Sequence, residues 1–503
     1  MKVTTASRAN LVAGRILAQS EAAPNRAALV VGDDVITYGS LLARAQQLLP
    51  TLSAAAPVPR VGILTSDPRQ LLTAFLATGM AGGTCIVYDP TWTPSQQHGV
   101  LARAGADVIV ADPAGRRRLR GAPDLPAMIA EPAGPTSARG TPDSTARAAS
   151  DFYVGFTSGT SGAPKAFSRS QSSWLTSFRL AQEQFALSGS DWVLIPGALH
   201  HSLFLFAALQ SLWMGATACI LRRFGPLSLV RALQRSPITR LWAVPTMLAA
   251  AEPHLARAGT DGLQGVRGVY CTGSAWPPEQ LRRCRQIFPA AEVVEFYGAG
   301  ELSFVAFSSS RDRDLEPGYL RPFAEVELSI RPADPPRPGR EGLIYVRSPM
   351  LFDRYLGPEP ESFARDRDGW VTVGDLGNLN GQGALKVTGR ATSTLICGGQ
   401  NLQPEPIEGC LEQLEEVAEA AIVGVADPLW GQKPVALVRW RSDTQPLARR
   451  TLMEHCRREL GAGARPHNFL QVPSIPRTAG GKIARSQLER ELSAGRLTTQ
   501  GIT

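Results

Sequence analysis

Short apolar runs and helical patterns take turns along most of this chain, and that alternation limits the fold more than any other feature. Val61–Thr65 is apolar, Pro68–Met80 has helical periodicity, Gly82 and Gly83 break it, and Cys85–Tyr88 is apolar again. A second round follows, with a helical segment near Pro94–Ala104 and the run Val108–Ala111. The rhythm resumes with Val193–Ile195, a helix over Ser202–Trp213, Ala218–Leu221, a helix near Leu229–Gln234, then Arg240–Val244, Val266–Tyr270 and Val293–Tyr297. Strands separated by helix-length crossovers build parallel sheets. The expected class is therefore α/β, with a large N-terminal α/β domain.

The texture changes after Pro317. Val326–Ile330, Gly342–Val346 and Leu385–Val387 are strand-like and separated by Pro/Gly turns, which predicts a β-rich subdomain. After Arg390 a smaller α/β segment is expected, with a helix near Pro406–Leu414, strands Ala420–Val425 and Val435–Trp440, and a helix near Ala448–Leu460. Residues 112–150 are rich in Pro, Ala, Gly and Arg and read as a long loop or linker.

Composition removes several function classes. The net charge is +8 over 503 residues, the Arg residues are scattered, and no long Lys/Arg run exists. The densest patch, Arg116–Arg120, reads as a solvated surface loop, so no nucleic-acid partner is expected. The excess suits polyanionic small molecules. Seven Cys without a CxxC pair or a Cys/His cluster argue against a disulfide framework and a zinc site. The N-terminus lacks an apolar signal-peptide core, and no run of about 18 apolar residues predicts a membrane span. A reducing, cytoplasmic setting is expected.

Residues Phe156–Lys165 read FTSGTSGAPK and follow the apolar run Phe152–Phe156. Such a loop turns backbone N–H groups and hydroxyls toward one anion, and Lys165 adds positive charge; phosphate is the natural ligand. It is not a Walker A loop, because Ala163 and Pro164 separate Gly162 from Lys165. On composition alone an ordinary polar surface loop is an equal reading.

The run resembles the phosphate loop of the adenylate-forming superfamily, which includes acyl-CoA synthetases, aryl-CoA ligases and the adenylation domains of peptide synthetases. Further stretches agree in type and order: Glu295–Glu301 (EFYGAGE), Gly369–Asp375 (GWVTVGD), Gly389–Arg390, Gly398–Asn401 (GGQN) and Pro476–Lys482 (PRTAGGK). The resemblance spans about residues 10 to 490. It implies a domain boundary after Arg390, giving a large adenylating domain at 1–390 and a small mobile domain at 391–503.

The resemblance also implies roles. Thr157, Ser158, Gly159, Thr160, Ser161 and Gly162 would hold the β- and γ-phosphates of ATP, with Lys165 supporting them. Tyr297 and Gly298 would lie at the nucleotide, Glu301 would face Mg2+, Asp375 would accept the ribose hydroxyls, and Arg390 would assist at ribose or phosphate. Lys482, on a mobile loop, would swing in to bridge the substrate carboxylate and the α-phosphate. His201, rather than His200, would stand beside that carboxylate, although a structural histidine reads nearly as well there. Trp242, Ser274 and Ala275, together with Thr246 and Trp276, would line the acyl pocket. Gly398 and Gly399 would line a pantetheine tunnel, and Trp430 would stack on CoA adenine, as in 4-chlorobenzoate-CoA-ligase-like enzymes.

The implied activity is ATP-dependent ligation of a carboxylic acid to CoA through an acyl-adenylate. Transfer to an acyl carrier protein and binding without turnover stay open beside it. No Asp near His200–Phe206 offers a partner for an α-amino group, which argues against an amino-acid substrate. The family usually has Thr where this chain has Gly300, and Asp at Thr392 and Ser393. Two Trp in the pocket segments suit a short or aromatic acid better than a long acyl chain.

Overall fold

The computed structural model describes residues 11–119, 127–129, 151–158 and 164–502, apart from 93, 258–262, 274–275, 277, 334–340, 358–362, 392–394, 398–399, 403, 428–430, 461–465, 467 and 479–480. The described residues form four sheets. In the nine-stranded sheet, Gly268–Cys271, Arg240–Ala243, Trp192–Ile195, Thr217–Ile220 and Ala27–Val31 run parallel in that order, with Glu292–Ala299 parallel at the other side of Gly268–Cys271. Its edges are antiparallel: Asp34–Thr37 at one side, Ser303–Ser309 and Arg321–Pro322 at the other. The seven-stranded sheet has a parallel centre of Asp151–Ser158, Thr84–Val87, Arg60–Leu64, Val108–Ala111 and Ala127–Ile129.

Local chemistry explains the crossovers. Asp67 accepts the N–H of Arg69 and Pro68 opens the helix Pro68–Met80, a cap followed by the favoured first residue. Every residue from Leu71 to Met80 is buried, so this helix is sandwiched rather than laid on a surface. Ser202–Met214 is buried nearly all round in the same way and stops at Gly215, which takes φ +85°.

Residues 112–150 were expected as a loop; the structure places a helix over Pro113–Arg118 and an edge strand over Ala127–Ile129. The composition hid an Asp-Pro start: Asp112 caps that helix through the N–H of Gly115. Arg117 and Arg118 are exposed on this helix, while Arg120 of the same patch lies outside the described residues.

The β-rich expectation after Pro317 holds. Glu327–Arg331, Gly342–Arg347, Asp375–Leu379 and Leu385–Arg390 are antiparallel neighbours in one sheet. The C-terminal sheet pairs Val417–Asp427 with Gly431–Trp440 and is flanked by helices Pro404–Leu411 and Arg449–Leu460. Its cores draw only on residues 395–502, while the N-terminal cores draw on residues 12–387. Among the described residues no helix is long and apolar enough to cross a membrane.

Candidate active site

Strand Asp151–Ser158 and strand Pro164–Ser170 pair antiparallel, and Thr157 faces Lys165 across the ladder. Thr157 therefore lies at the carboxyl end of a strand whose other neighbour, Thr84–Val87, is parallel to it, where α/β sheets place ligands. Gly159, Thr160, Ser161 and Gly162 lie outside the described residues, as does the side chain of Ser158.

A second hairpin, Glu292–Ala299 with Ser303–Ser309, carries Tyr297, Gly298 and Glu301. Tyr297 donates its hydroxyl to Oδ2 of Asp375 at 2.6 Å, and Arg390 Nε donates to Oδ1 at 2.6 Å. Asp375 opens a strand and is 5% exposed, so it is not a turn or cap residue. Burial and the Asp375 carboxylate push the Tyr297 phenol well above its ordinary range. The same carboxylate pushes the Arg390 guanidinium up. The three side chains form one fixed unit with a carboxylate at its centre.

Glu301 is 6% exposed and accepts the Tyr355 hydroxyl on Oε1 at 2.9 Å. Nothing in the sequence singled out Tyr355. Among the described residues no group of three or more His, Cys, Asp or Glu could hold a metal ion. A single buried carboxylate nevertheless fits Mg2+, which takes one or two carboxylates together with substrate phosphates.

Gly300 has lost more than a hydroxyl relative to the family pattern. A Cβ there would stand 2.7 Å from Cζ of Phe167, on the strand after the phosphate loop. The ring occupies the room a larger residue would need.

Lys482 arrives from the C-terminal domain. Of its turn, the structure describes Thr478, Gly481 and Lys482: the Thr478 carbonyl accepts the Gly481 N–H at 2.8 Å and the Thr478 N–H donates to Lys482 O at 2.7 Å, while Ala479 and Gly480 lie outside the described residues. Gly481 takes φ +80°, and Arg477 donates to Gly481 O at 2.7 Å while pairing with Glu419 at 2.8 Å. Gly481 thus provides the left-handed backbone that a tight turn needs. A Cβ at Gly481 would lie 3.8 Å from Oγ1 of Thr246, so this turn meets the large domain. Lys482 keeps solvent access, and partial desolvation by the facing protein, then the Arg390 charge, lowers its pKa against Asp375, Glu301 and Glu405.

The histidine doublet separates into two roles. His201 precedes the helix Ser202–Met214, and burial with the neighbouring His200 lowers its pKa to about 4. His200 stands 3.4 Å from Asp89. Trp242, expected at the acyl pocket, is 1% exposed and packed against Tyr270, Phe206, Phe296 and Phe304, so it belongs to the aromatic core. Trp276 is buried in a second core, and its backbone N–H donates to Oε1 of Glu295 at 3.0 Å. Ser274, Ala275, Gly398, Gly399 and Trp430 lie outside the described residues, as do Thr392 and Ser393.

The family of AMP-binding enzymes matches residues 16–356, and the AMP-binding enzyme C-terminal domain matches residues 406–482. The chain is 34% identical to an uncharacterized acyl–CoA ligase, YhfT of Bacillus subtilis (strain 168), over 94% of this chain and 96% of that relative. It is 25% identical to 2-succinylbenzoate–CoA ligase of the same organism, over 94% and 97%. The o-succinylbenzoate CoA synthetase of Bacillus subtilis, solved with an acyl-adenylate intermediate, superposes with a TM-score of 0.82 at 24% identity, covering 94% of this chain and 97% of that one. With both matched segments in chain order and the fold shared end to end, the chain belongs to the AMP-binding enzyme family.

Proposed function

We propose that this chain is an ATP-dependent carboxylic acid–CoA ligase that works through an acyl-adenylate. The observation that carries the reading is the meeting of the Lys482 turn with the Tyr297–Asp375–Arg390 unit and Glu301. A carboxylate is a poor acyl donor, because oxide is a poor leaving group. Attack of its oxygen on the α-phosphorus of ATP forms the acyl–phosphate bond and breaks the bond to pyrophosphate. The thiol of CoA then attacks the acyl carbon, AMP leaves, and the thiol proton is lost.

Negative charge dominates the first step, so cations and N–H donors lower its barrier. The loop Thr157–Gly162 with Lys165 binds the β- and γ-phosphates in this reading. Asp375 accepts the ribose hydroxyls while Tyr297 and Arg390 keep its carboxylate in place. Glu301 would hold Mg2+, which neutralises phosphate charge when bound. Lys482 bridges the acid carboxylate and the α-phosphate. His201 stands at the carboxylate as a neutral ring at pH 7, consistent with its depressed basicity.

The pose with Lys482 inward suits adenylation. Thioester formation then needs the small domain to swing about a pivot after Arg390, bringing Gly398, Gly399 and Trp430 to CoA. That division puts residues 1–390 in the large domain and 391–503 in the small one. Trp430 is the basis for a nearer likeness to 4-chlorobenzoate–CoA-ligase-like enzymes. Within this reading the acid is short or aromatic rather than a long acyl chain: Phe206, on the helix that follows His201, is packed with Trp242 and Phe304 in a closed aromatic core.

The test is pyrophosphate release with ATP and Mg2+ across benzoate, butyrate, octanoate and palmitate, with and without CoA. Acid-dependent release, with thioester only when CoA is present, is expected. Release without a CoA thioester would direct the acyl group to a carrier-protein thiol instead. Palmitate as the best acid would overturn the short or aromatic assignment.

A further inference from the structure

Asp89 takes no part in the reaction as described, yet its carboxylate is buried beside the His200–His201 doublet. It follows the strand Thr84–Val87, in the seven-stranded sheet, and is 6% exposed. Its Oδ1 accepts the N–H and the hydroxyl of Thr91 at 2.7 and 2.6 Å, which closes a tight turn. The same oxygen lies 3.4 Å from Nε2 of His200. His200 precedes the helix Ser202–Met214, which packs on the nine-stranded sheet. The contact therefore joins the two large sheets.

The neighbours of Asp89 anchor the phosphate loop. Tyr88 stacks on Phe156 with centroids 5.6 Å apart, and Trp92 meets the same ring edge-on at 5.0 Å. Phe156 immediately precedes Thr157, the first residue of the loop's hydroxyl series. On the other side, the His200 ring packs against the His201 ring with centroids 4.3 Å apart and planes inclined by 57°. One chain of contacts thus runs from the base of the phosphate loop through the Asp89 turn and His200 to His201.

We propose that Asp89 and His200 are positioning residues that hold the His201 ring in register with the phosphate loop. The carboxylate keeps a proton on the His200 nitrogen that faces it, which sets that ring's tautomer and orientation. The oriented ring is the surface on which His201 rests. Neither residue touches substrate; they keep the ring at the acid and the donors at the triphosphate at a set separation, the quantity on which in-line attack depends. Burial lowers the pKa of His200 against the Asp89 charge, so the pair works as a dipole contact rather than a full ion pair at neutral pH.

This inference rests on reading His201 as the residue beside the acid carboxylate, and the experiment separates the two. The full-length chain is labelled with 13C-histidine, and its six His signals are assigned with His200→Gln and His201→Gln. Asp89→Ala, Asp89→Asn and Thr91→Val are then compared. Asp89→Ala is expected to move the His200 and His201 signals together, Asp89→Asn to move them less, and Thr91→Val to leave His201 in place. With the acid that releases most pyrophosphate in the panel above, Asp89→Ala should lower kcat about tenfold with KM for ATP unchanged. Asp89→Asn should recover part of that loss. If Asp89→Ala leaves the His201 signal where it is, the proposal is overturned, and Asp89→Asn serves the same purpose should the Ala variant not fold. If His201→Gln slows release while Asp89→Ala does not, the proposal is overturned although the reading of His201 stands. If His201→Gln itself releases pyrophosphate at the normal rate, the reading of His201 fails and the positioning role falls with it.

Discussion

Phe167 leaves no room for a side chain at Gly300: a Cβ there would stand 2.7 Å from its Cζ and 3.0 Å from Cε1. Phe167 is fully buried and held edge-on by Tyr153 and Phe352, so it has little freedom to withdraw. Gly300→Thr, which would restore the family's hydroxyl, is therefore expected to overpack the site. A destabilisation of about 1–3 kcal/mol should appear in denaturant unfolding, together with slower pyrophosphate release. Adding Phe167→Leu should recover part of both. Gly300→Thr unfolding like the parent chain would mean that the ring yields freely.

Lys482→Ala is expected to lower acid-dependent pyrophosphate release about 100-fold or more, the scale of losing one preorganised charge donor. Thioester formation from a presynthesised acyl-adenylate should persist, because that step uses the other pose. Equal loss in both half-reactions would remove the assigned role.

The turn that presents Lys482 depends on Arg477, which reaches both Gly481 O and Glu419. Arg477→Ala should slow the adenylation half-reaction about fivefold, because the turn loses its clamp while the lysine stays. Stopped-flow comparison of the two half-reactions checks this; an unchanged adenylation rate would show that the turn holds itself.

Tyr297→Phe removes a hydrogen bond to a buried carboxylate without changing the ring. KM for ATP should rise about tenfold, the value of one charge-assisted hydrogen bond, with kcat much less affected. The observation against it would be an unchanged KM.

Burial pushes the Glu295 carboxyl up to about 7, against the hydrogen bond from the Trp276 N–H. The folded chain holds that proton where the unfolded chain has released it. Its contribution to stability is thus present below about pH 4.5 and lost as pH rises through about 7. Glu295→Gln keeps an acceptor for Trp276 and carries no charge. It should stabilise the large domain by on the order of 2 kcal/mol at pH 8 and by little at pH 4.5. Thermal unfolding at both pH values measures the difference, and an equal shift at both would remove the cause assigned here.

Much of the scaffold was legible because it rests on local signals. The helix Pro68–Met80 announced itself by periodicity and by the Gly82-Gly83 break after it, and observed bounds match the expected ones. Within the expected loop 112–150, the helix Pro113–Arg118 was missed because an Ala/Pro/Gly/Arg composition outweighed one Asp-Pro start. The strand Val266–Tyr270 was placed early; the ladder runs Gly268–Cys271, since register with Arg240–Ala243 sets its start.

By itself the sequence determined the α/β rhythm and the order of the chemistry-bearing residues, because each depends on neighbours within a few positions. Only the tertiary structure decided what those residues do to one another. Tyr297 and Asp375 are 78 positions apart, Glu301 and Tyr355 are 54 apart, and no local pattern couples either pair. The burial of Trp242, the ring against Gly300 and the Asp89–His200 contact arise where separate sheets and helices pack. Those distances are set by filling space between elements, a property of the assembled core that no window of sequence contains.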